Sequence, residues 1–138
     1  MRASHESPIL SALLALSAAP ALAAIDITAD HGAVWQTSKV GDDTEGFLRI
    51  HNAGTTPDTL IGWDCPVATA TALLDASGKP LASLAIPAGQ MITLTQAGLH
   101  FSLQKTRETV DLGSIVPCTL TFAESGQVGI YLNAVPHP

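Results

Sequence analysis

The stretch Met91-Ile-Thr-Leu-Thr-Gln-Ala-Gly-Leu-His-Phe-Ser-Leu-Gln104 is the part of the sequence from which the fold is best predicted. In its second half apolar and polar residues alternate: Leu99, Phe101 and Leu103 share one parity, and His100, Ser102 and Gln104 share the other. Side chains alternate between the two faces of a strand, so the apolar trio is predicted to enter a core and His100 to face outward. The whole stretch is predicted to form a hairpin, two short strands joined by a tight turn.

The same alternation recurs along the chain, between turn signals that are about eight to twelve residues apart. The clearest further strands are predicted at 46–51, 59–65, 115–122 and 128–135, with a first edge strand at 25–28. No segment of ten or more residues carries the 3.6-residue apolar period of an amphipathic helix. The pattern predicts an all-β sandwich or barrel, and no linker or repeat divides it.

Residues 1–24 have the features of a secretory signal peptide. Arg2 supplies the positive start, an apolar run extends from Ile9 to Ala19, and Ala21-Leu22-Ala23 provides a small-x-small cleavage pattern. The apolar run is too short for an ordinary membrane span, although an uncleaved anchor is the alternative. We therefore predict an exported protein with one domain at residues 25–138 and no membrane span after cleavage.

Charge and motif content restrict the function. The chain of 138 residues carries a net charge of −6, which argues against nucleic acid or an anionic membrane as a partner. It contains no HxxxH, CxxC or GxSxG motif and no phosphate-binding glycine loop. Its carboxylates fall mainly in predicted turns, where solvated surface positions are ordinary. An enzyme is not expected.

The two cysteines, Cys65 and Cys118, admit three interpretations. Export to an oxidising compartment favours a disulfide between them. Strand parity places both on core-facing sides, Cys65 with Ile61 and Trp63, and Cys118 with Val116 and Leu120. Two separate buried thiols and a thiolate metal site are the other interpretations.

From about Val34 to Val135 the chain resembles the PCuAC family of periplasmic copper chaperones. The resemblance is carried by residues 48–54, 58–60, 87–89, Leu94, 98–100, Leu103, Gly113, 117–122 and Gly126. It implies a cupredoxin-like, Greek-key β-sandwich. It further implies a periplasmic location, Cu(I) as cargo, and a periplasmic partner protein such as one in cytochrome oxidase assembly.

Members of that family bind Cu(I) through two histidines and two methionines, of which two form a His-x-Met pair on one strand. Residues two apart on a strand project from the same face, so both side chains can reach one ion. By this resemblance His100 matches the histidine of the pair, and Ser102 occupies the place of its methionine. The upstream histidine falls on Leu73, and no methionine lies between Asp75 and Gln90.

Met91 offers a substitute ligand. A turn at Gln96-Ala97 would place Met91 opposite Ser102 and Thr93 opposite His100, which brings a thioether to the vacated position. Thioether sulfur is soft and suits Cu(I), whereas imidazole serves several metals. The predicted metal site is therefore His100 with Met91. The alternative is an exposed methionine and a solvated histidine.

The other histidines of the domain are His31, His51 and His137. His51 is out of phase with Leu48 and Ile50, so it is predicted on the surface. His31 and His137 lie near the two ends of the domain, and the ends of a sandwich can approach each other. We treat them as candidates that could join a site.

Three functional hypotheses follow from the sequence. The first is a copper chaperone-like protein with weak or altered Cu(I) binding at His100. The second is a metal-free protein-interaction or structural domain that kept the scaffold and lost copper. The third is a small-molecule-binding sandwich, which would need a deep pocket.

Overall fold

A computed structural model describes residues 26–138, which form nine strands and no helix. The strands are β1 (Ile27–Trp35), β2 (Thr44–Asn52), β3 (Asp58–Asp64), β4 (Ala68–Leu74), β5 (Leu84–Ile86), β6 (Met91–Thr93), β7 (His100–Thr106), β8 (Ile115–Phe122) and β9 (Gly126–Val135). This confirms the all-β prediction.

The strands form one curled sheet in the order β4-β7-β2-β1-β9-β8-β3-β5, and β6 pairs with β2 beside β7. All pairings are antiparallel except the parallel pairing of β1 with β9. Residues of both halves of this path pack into one apolar core. The architecture is therefore a β-sandwich whose two layers are joined through β1 and β9.

The alternation in β2 shows how the core is filled. Leu48 and Ile50 are buried at 2% and 0% exposure, and the intervening side chains lie half-buried on the opposite face. The opposite-face residues are Glu45, Phe47, Arg49 and His51. Strand β8 alternates in the same way, with Val116, Cys118, Leu120 and Phe122 buried. The period of two thus separates a core from an outer face, on which the candidate site lies.

The first strand differs from its prediction. An edge strand was expected at 25–28, but β1 extends to Trp35 and lies inside the sheet, between β2 and β9. Its register against β2 shifts between Asp30 and Ala33, where His31 adopts a positive φ of 57°. This bulge interrupts the alternation, which is why sequence patterning did not predict the strand as far as Trp35. Within the bulge only glycine fits at Gly32, because a Cβ there would collide with the carbonyl oxygen of Tyr131.

The predicted hairpin at 91–104 is wrong. Strands β6 and β7 do not pair with each other; both run antiparallel to β2 and occupy successive parts of its length. Residues 95–99 loop out between them, closed by a hydrogen bond from the Thr95 N–H to the Leu99 carbonyl (2.8 Å). A tight turn is present, but it separates two strands that both pair with β2.

The structure joins Cys65 and Cys118 in a disulfide, the first of the three interpretations. Strands β3 and β8 pair at Trp63 with Leu120 and at Asp64 with Thr119, so the next pair in register brings the two cysteines face to face. Their Cα atoms are 4.2 Å apart, and both residues are buried. No thiol remains to ligate a metal, since these are the only cysteines of the chain.

The predicted signal peptide at 1–24 lies outside the described residues. Within 26–138, no helix is long and apolar enough to cross a membrane.

Candidate metal-binding surface

His100 opens β7 and lies on the outer face of the sheet. Its neighbours Phe101 and Leu103 are buried at 1% and 0% exposure, whereas His100, Ser102 and Gln104 are only partly buried. The predicted orientation of this strand is confirmed. The His100 side chain nevertheless retains only 12% exposure, because strands β2 and β4 flank β7 on both sides. The imidazole ring therefore lies on the outer face of the sheet but is largely enclosed by the neighbouring strands.

One ring nitrogen of His100 is engaged and the other is available. Nδ1 lies 2.9 Å from the carbonyl oxygen of Gly98. A carbonyl only accepts hydrogen bonds, so this contact assigns the proton of a neutral ring to Nδ1 and the lone pair to Nε2. Metal-bound histidines are commonly oriented by such a bond to a backbone carbonyl. Nε2 lies 3.8 Å from Oε1 of Glu45 on β2, which adds a carboxylate oxygen beside the free lone pair.

The residues that flank His100 supply no further soft ligand. Ser102 projects from the same face, opposite Glu45 on β2 and Ala72 on β4. Leu73, the position at which the family resemblance puts a histidine, pairs with Phe101 and is fully buried, so it points away from this face. The residue of β4 that pairs with His100 is Leu74. Within residues 26–138, no three His, Cys, Asp or Glu side chains are close enough to hold a metal ion.

Met91 does not lie beside His100, which corrects the predicted register. It pairs with His51 on β2, and Thr93 pairs with Arg49, rather than with Ser102 and His100. Phe101 pairs with Gly46, so His100 lies about four residues along β2 from the level of Met91. At about 3.3 Å per residue this separates the two by roughly 13 Å, too far for one ion to be bound by both.

A small cavity lies near His100, beside its neighbours Glu45 and Ser102. It has a volume of about 240 Å³ and is lined by Trp35, Asp43, Thr44, Glu45, Ser102 and His137. The ring of His137 packs on Trp35 with 4.4 Å between the ring centroids. The lining is mainly polar, and the volume is below the roughly 300–1,000 Å³ of small-molecule pockets. This cavity does not favour the small-molecule hypothesis.

The two histidines near the ends of the domain, His31 and His137, lie in different places. His137 reaches the cavity beside Ser102, whereas His31 lies in the β1 bulge with its Nδ1 3.1 Å from Oδ1 of Asp30. Asp30 also binds Arg49 through two hydrogen bonds of 2.9 Å each. The Arg49 guanidinium, with a smaller contribution from His31, lowers the pKa of the Asp30 carboxyl to about 2. The charge of Arg49 on this face is thus matched by a carboxylate.

Two contacts on this surface were not foreseen from the sequence. Glu45 lies beside His100, and His51 lies beside Met91. Parity alone places Glu45 and His51 on one face of β2. Nothing in the local sequence identifies β6 and β7 as the strands that lie next to that face.

Comparison with known proteins gives one family match. The sequence model described as "Putative lipoprotein LpqE-like" matches residues 27–133. No curated protein sequence matches the chain.

Solved structures with the same fold include PCuAC domains and the protein DR1885 from Deinococcus radiodurans. The copper-bound PCuAC domain from PmoF2 is 19% identical with a TM-score of 0.73, covering 83% of this chain and 97% of that domain. The apo PCuAC domain from PmoF1 is 23% identical with a TM-score of 0.74, covering 83% and 98%. The solution structure of CuI-DR1885 from Deinococcus radiodurans is 22% identical with a TM-score of 0.62, covering 75% and 76%. At these identities the likeness shows the fold, a cupredoxin-like β-sandwich.

Proposed function

The chain belongs to the LpqE-like family, and from that premise we propose that it is an exported, periplasmic copper-handling protein that binds Cu(I) weakly at His100. Copper is its cargo, to be exchanged with a periplasmic partner protein. The role is one of binding, without catalysis. The observation that carries this proposal is the Nε2 lone pair of His100, held available by the Nδ1–Gly98 hydrogen bond on the outer face.

Two further features support the proposal. The fold is that of domains whose solved structures include copper-bound forms. The donors near His100 are also few: the carboxylate of Glu45 is hard, and Ser102 and Leu74 supply no thioether or imidazole. Because Cu(I) prefers sulfur and imidazole, one imidazole gives weak, rapidly exchanging binding.

The first test is the affinity of the reduced protein for Cu(I), measured by anaerobic competition with a chromophoric chelator. We expect His100→Ala to weaken the binding at this site by about tenfold or more, since even the supporting groups of metal sites have effects of that size. His31→Asn is the matched control. It removes an exposed imidazole on the same sheet, and asparagine tolerates the positive φ at that position. An affinity that is the same in both variants contradicts a site at His100.

A gain-of-function variant tests the same surface. Ser102→Met creates a His-x-Met pair, and the cavity that Ser102 lines provides space for the longer side chain. We expect Cu(I) binding to tighten by about tenfold or more, because a soft thioether joins the imidazole on one face. Gln104→Met, two residues further along the same face of β7, is the control and is expected to leave the affinity unchanged. No tightening in Ser102→Met would mean that His100 is not oriented toward a shared ion.

The alternative function is a metal-free protein-interaction domain, and a separate surface favours it. Tyr131 and Ile115 are 68% and 61% exposed on β9 and β8, and Pro117 pairs with Tyr131 between these strands. Large exposed apolar side chains that cluster on one face are typical of interaction surfaces. If the His100 ring signals of reduced wild-type protein stay unchanged throughout a direct titration with Cu(I), the result would favour this alternative.

A further inference from the structure

The outer face carries a second pair of copper-type donors, at some distance from His100. Met91 on β6 and His51 on β2 are direct cross-strand partners. Hydrogen bonds from the Asn52 N–H to the Gln90 carbonyl (2.9 Å) and from the Leu94 N–H to the Leu48 carbonyl (2.8 Å) mark the hydrogen-bonded positions of this ladder. By alternation, His51 and Met91 form a non-hydrogen-bonded pair, in which the Cα atoms are about 4.5 Å apart and the side chains are closest.

Both side chains are free to take a ligand. Met91 is 47% exposed, and His51 is half-buried. Among the hydrogen bonds and ion pairs of residues 26–138, none involves the His51 ring. The thioether and the imidazole thus project side by side from one surface, with their donor atoms uncommitted.

The backbone beneath this pair is firmly held. Asn52, which follows His51, is buried, and its amide group donates hydrogen bonds to the carbonyls of Thr56 and Ile86 (2.9 and 3.0 Å). On the opposite side of the strand, Ile50 pairs with Ile92, and both pack in or against the core. A fixed backbone keeps the two side chains on neighbouring positions of one face, which lowers the entropic cost of bringing both donors to one ion.

The local charge also permits a cation. Arg49 lies two residues from His51 on the same face, but its guanidinium is bound through two hydrogen bonds to Asp30. The opposite neighbour of His51, on β1, is the neutral Thr28. The chain as a whole has a net charge of −6.

We propose that His51 and Met91 form a surface site for a soft monovalent metal ion, Cu(I), separate from His100. Thioether sulfur selects Cu(I) among the common metals, and imidazole completes a two-donor set. Within the described chain β6 pairs only with β2, so the site lies at a sheet edge and its remaining coordination positions are open to a ligand from a partner. Binding adds no redox step, since the ion enters and leaves as Cu(I).

The test is NMR of the Met91 ε-methyl group during titration with Ag(I), a closed-shell ion that stands in for Cu(I) without redox chemistry. The chain has only two methionines, Met1 and Met91, so Met91→Leu assigns the signal. We expect the Met91 methyl and the His51 ring signals to shift together at one equivalent of Ag(I). We expect His51→Gln to weaken this effect by about tenfold or more, and His100→Ala to leave it unchanged. Circular dichroism of each variant confirms that the sheet is intact.

Unshifted Met91 methyl at one equivalent of Ag(I), or an equal shift in His51→Gln, would overturn this site. Cu(I) competition with the same variants separates it from the site proposed at His100. Binding lost in His100→Ala but kept in His51→Gln and Met91→Leu overturns the second site and leaves the first. Binding lost in His51→Gln and Met91→Leu but kept in His100→Ala overturns the first and leaves the second.

Discussion

Replacing Cys65 and Cys118 together by alanine is expected to lower the free energy of unfolding by about 4 kcal/mol. The disulfide links positions 53 residues apart in the sequence, and in the chain-entropy account a crosslink of that span strongly restricts the unfolded chain. The total stability of a small domain is about 5–15 kcal/mol, so the loss would be a large fraction of it. Urea unfolding monitored by tryptophan fluorescence measures the change.

The reduced wild type is the control for the disulfide. The two thiols remain in the core there, so the difference between reduced and oxidised wild type isolates the covalent link. The difference between reduced wild type and the alanine double variant gives the packing contribution of two buried sulfurs at the β3–β8 seam. Unfolding of oxidised wild type and double variant at the same urea concentration would show that the link adds no stability.

Replacing Asp58 by asparagine is expected to lower the free energy of unfolding by about 2–4 kcal/mol, because a buried hydrogen-bonded charge is lost. Asp58 begins β3, is 5% exposed, and accepts four hydrogen bonds. The donors are the N–H groups of Thr59 (2.7 Å), Glu124 (2.9 Å) and Ser125 (3.0 Å) and the Ser125 hydroxyl (2.6 Å). An asparagine would point its amide N–H₂ at donors and leave some of them unpaired.

The control for Asp58 is Asp75→Asn. Asp75 accepts three hydrogen bonds, from the N–H and hydroxyl of Ser77 and the N–H of Lys79, but all of them lie within one exposed turn. Water can replace those bonds, so we expect a much smaller loss there. Equal losses in the two variants would contradict the argument from burial.

The Asp58 carboxylate should also affect the pH dependence of the free energy of unfolding. Burial by itself raises the pKa of Asp58, but the hydrogen bonds donated by Ser125, Glu124 and Thr59 outweigh it and leave the pKa below its usual value. A lowered pKa stabilises the fold at pH values above the unfolded-state pKa of about 3.9, and that stability is lost as the pH falls through the folded-state pKa. We expect the unfolding free energy of wild type to fall below about pH 4, and Asp58→Asn to lack that component. Parallel pH profiles of the two proteins would contradict this assignment.

Much of the candidate surface follows from alternation, a local property. The parity of residues 99–104 places Phe101 and Leu103 in the core and His100 outside, and the structure agrees. The parity of Cys118 with Val116 and Leu120 places it on the core-facing side, and the structure agrees. These predictions hold because burying one face of a strand fixes the side of every second residue, whichever strands lie alongside. Cys65 is buried as predicted, but the parity it was expected to share with Ile61 is wrong: Ile61 is 50% exposed, because the register of β3 against β8 shifts between Leu60 and Gly62.

Which strands pair with each other could not be predicted from the alternation of residues. Met91 keeps the same parity whether it lies opposite Ser102 in a hairpin or opposite His51 on β2, so alternation cannot choose between the two. The choice depends on Ile92 packing beside Ile50 against the core, and on a loop at 95–99 that carries the chain past several positions of β2. Both are long-range effects, with no signature in the residues of the stretch.

The sequence by itself determined an all-β chain, the outward face of His100, and the core-facing sides of both cysteines. Tertiary structure alone decided that β1 lies inside the sheet, that Met91 meets His51, and that Asp58 binds Ser125 from 67 residues away. The physical reason is that the pleat of a strand is set by adjacent residues. Register and partner are set instead by the free energy of the whole folded sheet, in which many pairings share the same local pattern.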